Sequence, residues 1–139
     1  MSNANSISEK LFEGQIMRYR LPVPVREHRF AKAYGKRHAF DFCWPDYKLA
    51  VECDGFKVAC IRVGSRMQRV IVSGHGTPGQ MASDADKRNM AILLGWSVAV
   101  FHENHISSGQ AIAITQRLLA SRGWTPALLP VLTEKSAYG

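Results

Sequence analysis

The chain has 139 residues, of which 46% are hydrophobic, and it carries a formal net charge of +7. This length predicts one domain spanning residues 1–139. No apolar run reaches the roughly 20 residues that cross a bilayer, and the first residues lack the pattern of a secretory signal. We expect an intracellular protein without a membrane partner. The basic charge favours a polyanionic partner such as nucleic acid, and the alternative is an ordinary solvated surface.

A helix is predicted over residues 6–19, with Ser6 or Ser8 as its cap. Its apolar residues recur at helical spacing, and they are Ile7, Leu11, Phe12 and Ile16. The prolines of "LPVPV" end the helix, because proline cannot continue it.

Three antiparallel strands are predicted next, over residues 25–34, 38–44 and 49–56. The stretches "YGKR" and "PDYK" provide the turns between them. Alternation along the second strand places Phe40 and Phe42 on one face and Asp41 on the other.

The second half of the chain predicts a hairpin with its tip at "GSR", then a polar loop, a helix, a strand and a last helix. Their residues are 57–74, 74–80, 81–94, 96–101 and 107–120. The apolar stripe of the helix over 81–94 is expected to face the core, and it comprises Met81, Ala85, Ile92 and Leu94. The fully apolar strand "WSVAVF" is expected in the middle of a sheet. The tail from Gly123 has no assigned element.

Three carboxylates interrupt the predicted strands, and they are Asp41, Glu52 and Asp54. Glu52 and Asp54 share a face, and the short turn brings Asp41 alongside them. Like charges this close need a compensating cation, and Mg²⁺ prefers oxygen ligands. The residues alone leave two interpretations open. One is a metal site, and the other is a set of separate contacts, such as an ion pair of Asp41 with Arg37 or Lys48.

The stretches "FDFCWPDYKLAVECDGF" and "DADKRNMAILLGWSVAVF" resemble the PD-(D/E)XK nuclease superfamily. The most similar branch contains small phage and bacterial endonuclease-like proteins related to very short patch repair endonucleases. The resemblance covers about residues 7–120. It implies an α/β fold with a restriction-endonuclease-like αβββαβ core over about residues 6–120, a mixed central sheet, an inserted β-hairpin and a C-terminal helix. The superfamily's usual lysine, two residues past the glutamate, is Asp54 here, and the hairpin is longer than in many relatives.

The resemblance implies a Mg²⁺- or Mn²⁺-dependent DNA endonuclease that hydrolyses phosphodiester bonds. It would act in DNA repair, recombination or processing, in the cytoplasm of a bacterial or phage-infected cell. Two alternatives stay open. One is a non-catalytic DNA-binding protein on a nuclease scaffold, and the other is a Holliday-junction resolvase, which would act as a homodimer.

The resemblance also implies the metal ligands. Asp41 and Glu52 would hold the ion together with the backbone carbonyl of Cys53. Asp54 would be either a third ligand or the residue that holds a metal-bound water. Glu13 of the first helix is a further candidate ligand, whereas Glu9 is expected to be an ordinary solvated acid.

Two residues are candidates for the catalytic work of the missing lysine. Lys87 is one, because the second helix packs beside the sheet in this fold, and the alternative is an ion pair with Asp84. His75, in the glycine-rich loop, suits proton transfer at neutral pH, and the alternative is a phosphate contact or none. The stretch "HENH" is expected to be surface.

Basic side chains of the first strands and the hairpin are expected to bind the DNA backbone. They are Arg29, Lys36, Arg37, Arg62, Arg66 and Arg69. The last three belong to the hairpin, which has a suitable shape to enter a groove or to embrace a branched substrate.

Overall fold

A computed structural model describes residues 7–54, 57–72 and 78–126 of the chain. The helices of this part are α1 (Ile7–Arg18), α2 (Pro78–Leu93), α3 (Glu103–Ser107) and α4 (Gln110–Ser121). The strands are β1 (Val25–His28), β2 (Phe40–Trp44), β3 (Leu49–Asp54), β4 (Lys57–Val63), β5 (Arg66–Val72) and β6 (Ser97–His102). Within these ranges no helix has both the length and the hydropathy to cross a membrane.

The central sheet is mixed and has the strand order β1-β2-β3-β6. The first three strands are antiparallel, and β6 is parallel to β3. The hairpin of β4 and β5 forms a two-stranded sheet of its own. The predicted α/β class, the antiparallel strands and the hairpin are confirmed. The expected central position of "WSVAVF" is wrong, because β6 lies at an edge of this sheet and Val100 is 55% exposed.

The larger core lies between one face of the sheet and the helices α1, α3 and α4. Phe12 of α1 meets Phe42 of β2 edge-on, with 5.1 Å between ring centroids. Leu49 and Val51 of β3 and Leu119 of α4 complete the centre of this core, and none of them is exposed. Since this burial joins all three helices to the sheet, it fixes where α1 lies relative to β2.

The smaller core, on the other face of the sheet, contains Phe40 and Trp96 and packs against α2 through Ala91. Phe40 and Phe42 therefore lie in different cores, and the prediction that they share a face is wrong. The regular alternation of β2 breaks opposite Glu27 of β1, which has a φ of +53°. Arg26 pairs with Phe42 and His28 pairs with Phe40, so Glu27 lies between these two pairs.

The strand predicted over 25–34 is shorter than expected, since β1 ends at His28. The chain then turns back, so that the ring of Phe30 stacks on Phe40 at 3.9 Å. A 3₁₀ turn over Lys32–Tyr34 follows and is closed by Gly35, which has a φ of +74°. Glycine adopts this left-handed conformation without the steric cost of a Cβ.

The predicted buried face of α1 is correct only in part. Phe12 and Ile16 are buried, but Ile7 and Leu11 are exposed and Glu9 is buried instead. The face that contacts the sheet thus follows the spacing of residues 9, 12 and 16, because Arg26 of β1 draws the carboxylate of Glu9 inward.

The predicted apolar stripe of α2 is largely wrong. Met81, Ala85 and Ile92 are exposed, whereas Ala91 is buried and Leu94 packs beside it. The side of α2 that faces the sheet carries Lys87 one turn before Ala91, because this end of the helix lies over polar groups of β3.

The stretch "HENH" (102–105) lies largely at the surface, as predicted, with His102, Glu103 and Asn104 exposed. It leads into the short helix α3, whose Ile106 is fully buried. The side-chain amide of Gln15 donates to the Ile106 carbonyl at 2.9 Å, which joins α1 to α3. The last helix begins at Gln110 rather than at residue 107, because Gly109 with a φ of +85° separates α3 from α4.

We predict that Phe12→Ala lowers the free energy of unfolding by about 3–5 kcal/mol, because it removes a fully buried ring and leaves a cavity. The matched control is Met17→Ala on the same helix. Met17 is 75% exposed, so this change should stay within about 0.5 kcal/mol of the wild type. Denaturant unfolding measures both values. A loss for Met17→Ala as large as that for Phe12→Ala would contradict the packing of α1.

Candidate active site

Asp41 and Glu52 face each other at the point where the β2–β3 ladder stops. The paired residues of this ladder run from Trp44 and Leu49 to Phe42 and Val51. Just beyond them, the backbone N–H of Asp41 donates to Glu52 Oε2 at 2.7 Å. The backbone N–H of Cys53 donates to Asp41 Oδ2 at 2.8 Å. Each carboxylate thus accepts a backbone N–H of the other strand, which places two of the three acids predicted to converge side by side.

Lys87 of α2 provides the cation at this point. Its Nζ donates to Glu52 Oε1, and it also lies 5.9 Å from the centre of the Phe40 ring. The two side chains are largely buried, with exposures of 24% for Lys87 and 20% for Glu52. The structure therefore places Lys87 at the carboxylate of Glu52, beside the sheet.

The protonation of Glu52 differs from that of an ordinary glutamate. Burial raises its pKa, and the negative charge of Asp41 raises it further. The charge of Lys87 and the hydrogen bonds from Lys87 and from the Asp41 N–H act in the opposite direction. Since the raising effects are larger, Glu52 holds a proton more readily than a solvated glutamate does.

Arg26 of β1 links α1 to the same end of the sheet. Its guanidinium contacts Glu9 Oε1 at 2.8 Å and Glu13 Oε2 at 3.1 Å. Its Nε donates to the Asp41 carbonyl at 2.8 Å, and its flat face lies 4.0 Å from the centre of the Phe42 ring. Arg26 therefore compensates part of the acidic charge and orients α1 against the site.

Within the described residues, a group of three carboxylates beside Arg26 could hold a metal ion, and the predicted ligands Glu52 and Asp54 are not part of it. Oxygens of Glu9, Glu27 and Asp41 lie within 4.8 Å of one another. Glu9 is only 6% exposed, so the expectation that it is a solvated acid is wrong. Glu13 is outside this group and half exposed, and its role as a ligand stays a prediction.

Glu9 could have been found from the sequence, because it lies three residues before Phe12 on the buried face of α1. Glu27 is harder to predict, since only the register of β1 and β2 places it beside Asp41. Burial and the charge of Asp41 raise the pKa of Glu27. Two oxygens that bind one Mg²⁺ at about 2.1 Å are at most about 4.2 Å apart, so small side-chain shifts bring this donor set into range.

Asp54 lies at the end of β3, two residues beyond Glu52, and pairs in register with His102 of β6. It is half-buried, and it shares the face of Glu52 by strand alternation. Its predicted roles as metal ligand and catalytic residue stay predictions. The same holds for the Cys53 carbonyl.

The cysteines near the site are poor nucleophiles. Burial raises the pKa of Cys43 to about 12. The pKa of Cys53 is also raised, first by burial and then by the charges of Asp41, Glu9 and Glu52. Both thiols are free and stay protonated at neutral pH, so the chemistry of the site belongs to its carboxylates and its lysine.

The predicted DNA-binding residues lie in different settings. Arg29, Arg37, Arg62 and Arg66 are exposed. Lys36 is partly exposed and forms an ion pair with Asp86. The side chain of Arg69 and the whole of His75 lie outside the described residues, so their predicted roles stay predictions.

Comparisons of the chain with protein-family models, with curated proteins and with solved structures found no match.

We predict that Glu52→Gln changes the pH dependence of stability. Because the folded state raises the pKa of Glu52, its contribution to stability is present below the ordinary pKa of glutamate and is lost as the pH rises through the raised value. The free energy of unfolding of Glu52→Gln, relative to the wild type, should therefore increase as the pH rises above roughly 4.3, the ordinary pKa of glutamate. Denaturant unfolding at a series of pH values measures the difference.

The control for this experiment is Asn89→Ala, an exposed change on α2 that removes no titratable group. Its difference from the wild type should be constant with pH. A difference for Glu52→Gln that is equally constant, or that falls as the pH rises, would show that the pKa of Glu52 is not raised.

Proposed function

We propose that the protein is a divalent-metal-dependent endonuclease that hydrolyses phosphodiester bonds of DNA. The observation that carries this proposal is the meeting of Asp41, Glu52 and Lys87 where β2 and β3 separate. An aspartate, a glutamate and a lysine are the side chains that the resemblance to PD-(D/E)XK nucleases requires. The lysine comes from α2 rather than from position 54.

The element order supports the same proposal. A helix, three antiparallel strands, a helix and a strand parallel to β3 follow one another along the chain. This order agrees with the αβββαβ core that the resemblance implies. The hairpin of β4 and β5 corresponds to the expected insertion, and α4 corresponds to the C-terminal helix.

The residues that would hold Mg²⁺ or Mn²⁺ are Asp41, Glu9 and Glu27, with Glu52 beside them. All of them offer oxygen donors, which these hard cations prefer. When bound, such an ion polarises a phosphoryl oxygen and makes water more acidic.

The chain's own residues would provide the remaining chemistry. Glu52, whose pKa is raised, is suited to accept a proton from the attacking water as the new P–O bond forms. The P–O bond to the leaving strand end breaks, and solvent supplies the proton that this oxygen needs. Lys87 would stabilise the negative charge that develops on the phosphate.

Exposed basic residues support DNA as the substrate. The chain has a net charge of +7 although its candidate site is acidic, so the excess positive charge lies elsewhere. Arg29 and Arg37 are exposed near the start of β2, and Arg62 and Arg66 are exposed at the tip of the hairpin. Such side chains bind the phosphate backbone without reading its sequence.

We predict that the purified protein nicks or cuts plasmid DNA when Mg²⁺ or Mn²⁺ is added. Asp41→Asn, Glu52→Gln and Lys87→Met should each lower the rate at least about 100-fold, because each removes a group that contacts the reacting atoms or the ion. The control is Glu103→Gln, which changes an exposed acid of α3 and should cut like the wild type. Gel assays of supercoiled plasmid measure the rates.

Activity that survives both Asp41→Asn and Glu52→Gln would refute this site. Two further measurements separate the alternative functions. Calorimetric titration with Mn²⁺ should show binding that Asp41→Asn abolishes. A non-catalytic DNA-binding protein would instead bind DNA and show no Mn²⁺ binding that depends on Asp41. Preference for four-way junctions over linear duplex would identify a resolvase.

We also predict that Arg37→Ala reduces the salt dependence of DNA binding. Loss of one phosphate contact should make the slope of log affinity against log salt shallower by about 1. The matched control is Arg117→Ala, since Arg117 is exposed on α4, a helix on the other side of the sheet from α2. Fluorescence anisotropy at several salt concentrations gives both slopes. Equal slopes for the two variants would contradict a DNA contact at Arg37.

A further inference from the structure

The first turns of α2 have little apolar contact with the rest of the described structure. The buried residue of this helix is Ala91, near its end. The exposed residues before it are Met81, Ala82, Ser83, Ala85, Arg88 and Asn89. Hydrophobic burial therefore positions the end of α2 better than it positions the turn that carries Lys87.

Asp86 joins this turn of α2 to the segment before β2. Its Oδ2 accepts a hydrogen bond from His38 Nε2 at 2.7 Å and lies 3.2 Å from Lys36 Nζ. The hydrogen bonds from His38 and Lys36 lower the pKa of Asp86, so its carboxylate stays charged. Asp86 directly precedes Lys87, which makes it the nearest polar anchor to that lysine along the helix.

His38 is itself held firmly. Its side chain is only 15% exposed, and its ring stacks with Phe30 at a centroid distance of 6.4 Å. Phe30 stacks in turn on Phe40 at 3.9 Å, and Phe40 is the ring beside Lys87 Nζ. Asp86 thus contacts one end of the aromatic stack, at His38, and Lys87 contacts the other end, at Phe40. The stack fixes the distance between His38 and Phe40.

We propose that Asp86, His38 and Lys36 form a clamp that positions α2 so that Lys87 reaches Glu52. A lysine has four rotatable side-chain bonds and loses rotamer entropy when it is ordered. When the clamp holds this helix turn, Nζ of Lys87 reaches the carboxylate of Glu52 with a smaller loss of conformational entropy than it would from a loosely held turn. His38, Lys36 and Asp86 are positioning residues, and a catalytic consequence of the clamp rests on the proposed function.

The test measures the pKa of Glu52 by NMR titration of its carboxyl carbon, which requires no catalysis. Lys87→Met is the reference, because loss of the lysine charge should raise this pKa. Asp86→Ala and His38→Phe should each raise it by a large part of the same shift. His38→Phe keeps an aromatic ring for the stack but lacks Nε2. His38→Gln, which keeps an N–H donor, should stay much closer to the wild type.

The direction of the change in the pKa of Glu52 shows whether the charge of Asp86 or the contact with Lys87 causes it. Removing the negative charge of Asp86 would by itself lower the pKa of Glu52, whereas loss of the lysine contact raises it. Asn89→Ala, on the outer side of α2, is the matched control and should leave the pKa unchanged. Thermal unfolding of each variant establishes that it is folded, and His38→Phe decides the matter if Asp86→Ala does not fold.

Three results would overturn the clamp. The first is an unchanged or lowered pKa of Glu52 in folded His38→Phe and Asp86→Ala. The second is an equal rise in His38→Gln and His38→Phe, which would show that the N–H donor to Asp86 does not position Lys87. The third is no rise in Lys87→Met. A protein that passes this test but cuts no DNA would contradict the proposed function and leave the clamp intact.

Discussion

The structure depends on the exchange of hydrogen bonds between two carboxylates and two backbone amides where β2 and β3 separate. Beyond Phe42 and Val51, the N–H groups of Asp41 and Cys53 find their acceptors in side chains of the opposite strand. A buried amide without an acceptor would cost about 1–3 kcal/mol, so these two acids stabilise the place where β2 and β3 separate. The ending of the ladder and the formation of the site are therefore one structural event.

The same event concentrates negative charge in a basic protein. Among the described residues, the carboxylates grouped at this end of the sheet include Glu9, Glu13, Glu27, Asp41 and Glu52, and the cations beside them include Arg26 and Lys87. Arg26 cannot offset all of them, and burial raises the pKa of both Glu27 and Glu52. A local excess of carboxylates favours a divalent cation, whereas the remaining basic surface favours a polyanion. The two tendencies are compatible because they belong to different parts of the molecule.

Strand alternation and the short turn were sufficient to predict that Asp41 and Glu52 meet, because a tight turn fixes the register of its strands. The expectation that Glu9 is a solvated acid was wrong, because it overlooked that Glu9 lies three residues before Phe12 on the buried face of α1. The buried face of α2 was also wrong. Met81, Ala85 and Ile92 are exposed, and Lys87 faces the sheet, since a polar site rather than a core lies beneath this turn. Hydrophobic spacing predicts core contacts, and it fails where a helix covers a polar site.

The origin of the lysine on a separate helix has an entropic consequence. The contact between Lys87 and Glu52 closes a loop across 35 residues, which include the hairpin. Loop-closure entropy grows as (3/2)RT ln n, so this contact costs roughly 2–3 kcal/mol more than one between residues two apart on the same strand. A chain in which the sheet has formed but α2 has not docked would hold the carboxylates without their cation. Completion of the site thus depends on a long-range contact, and a shorter hairpin would make that contact less costly.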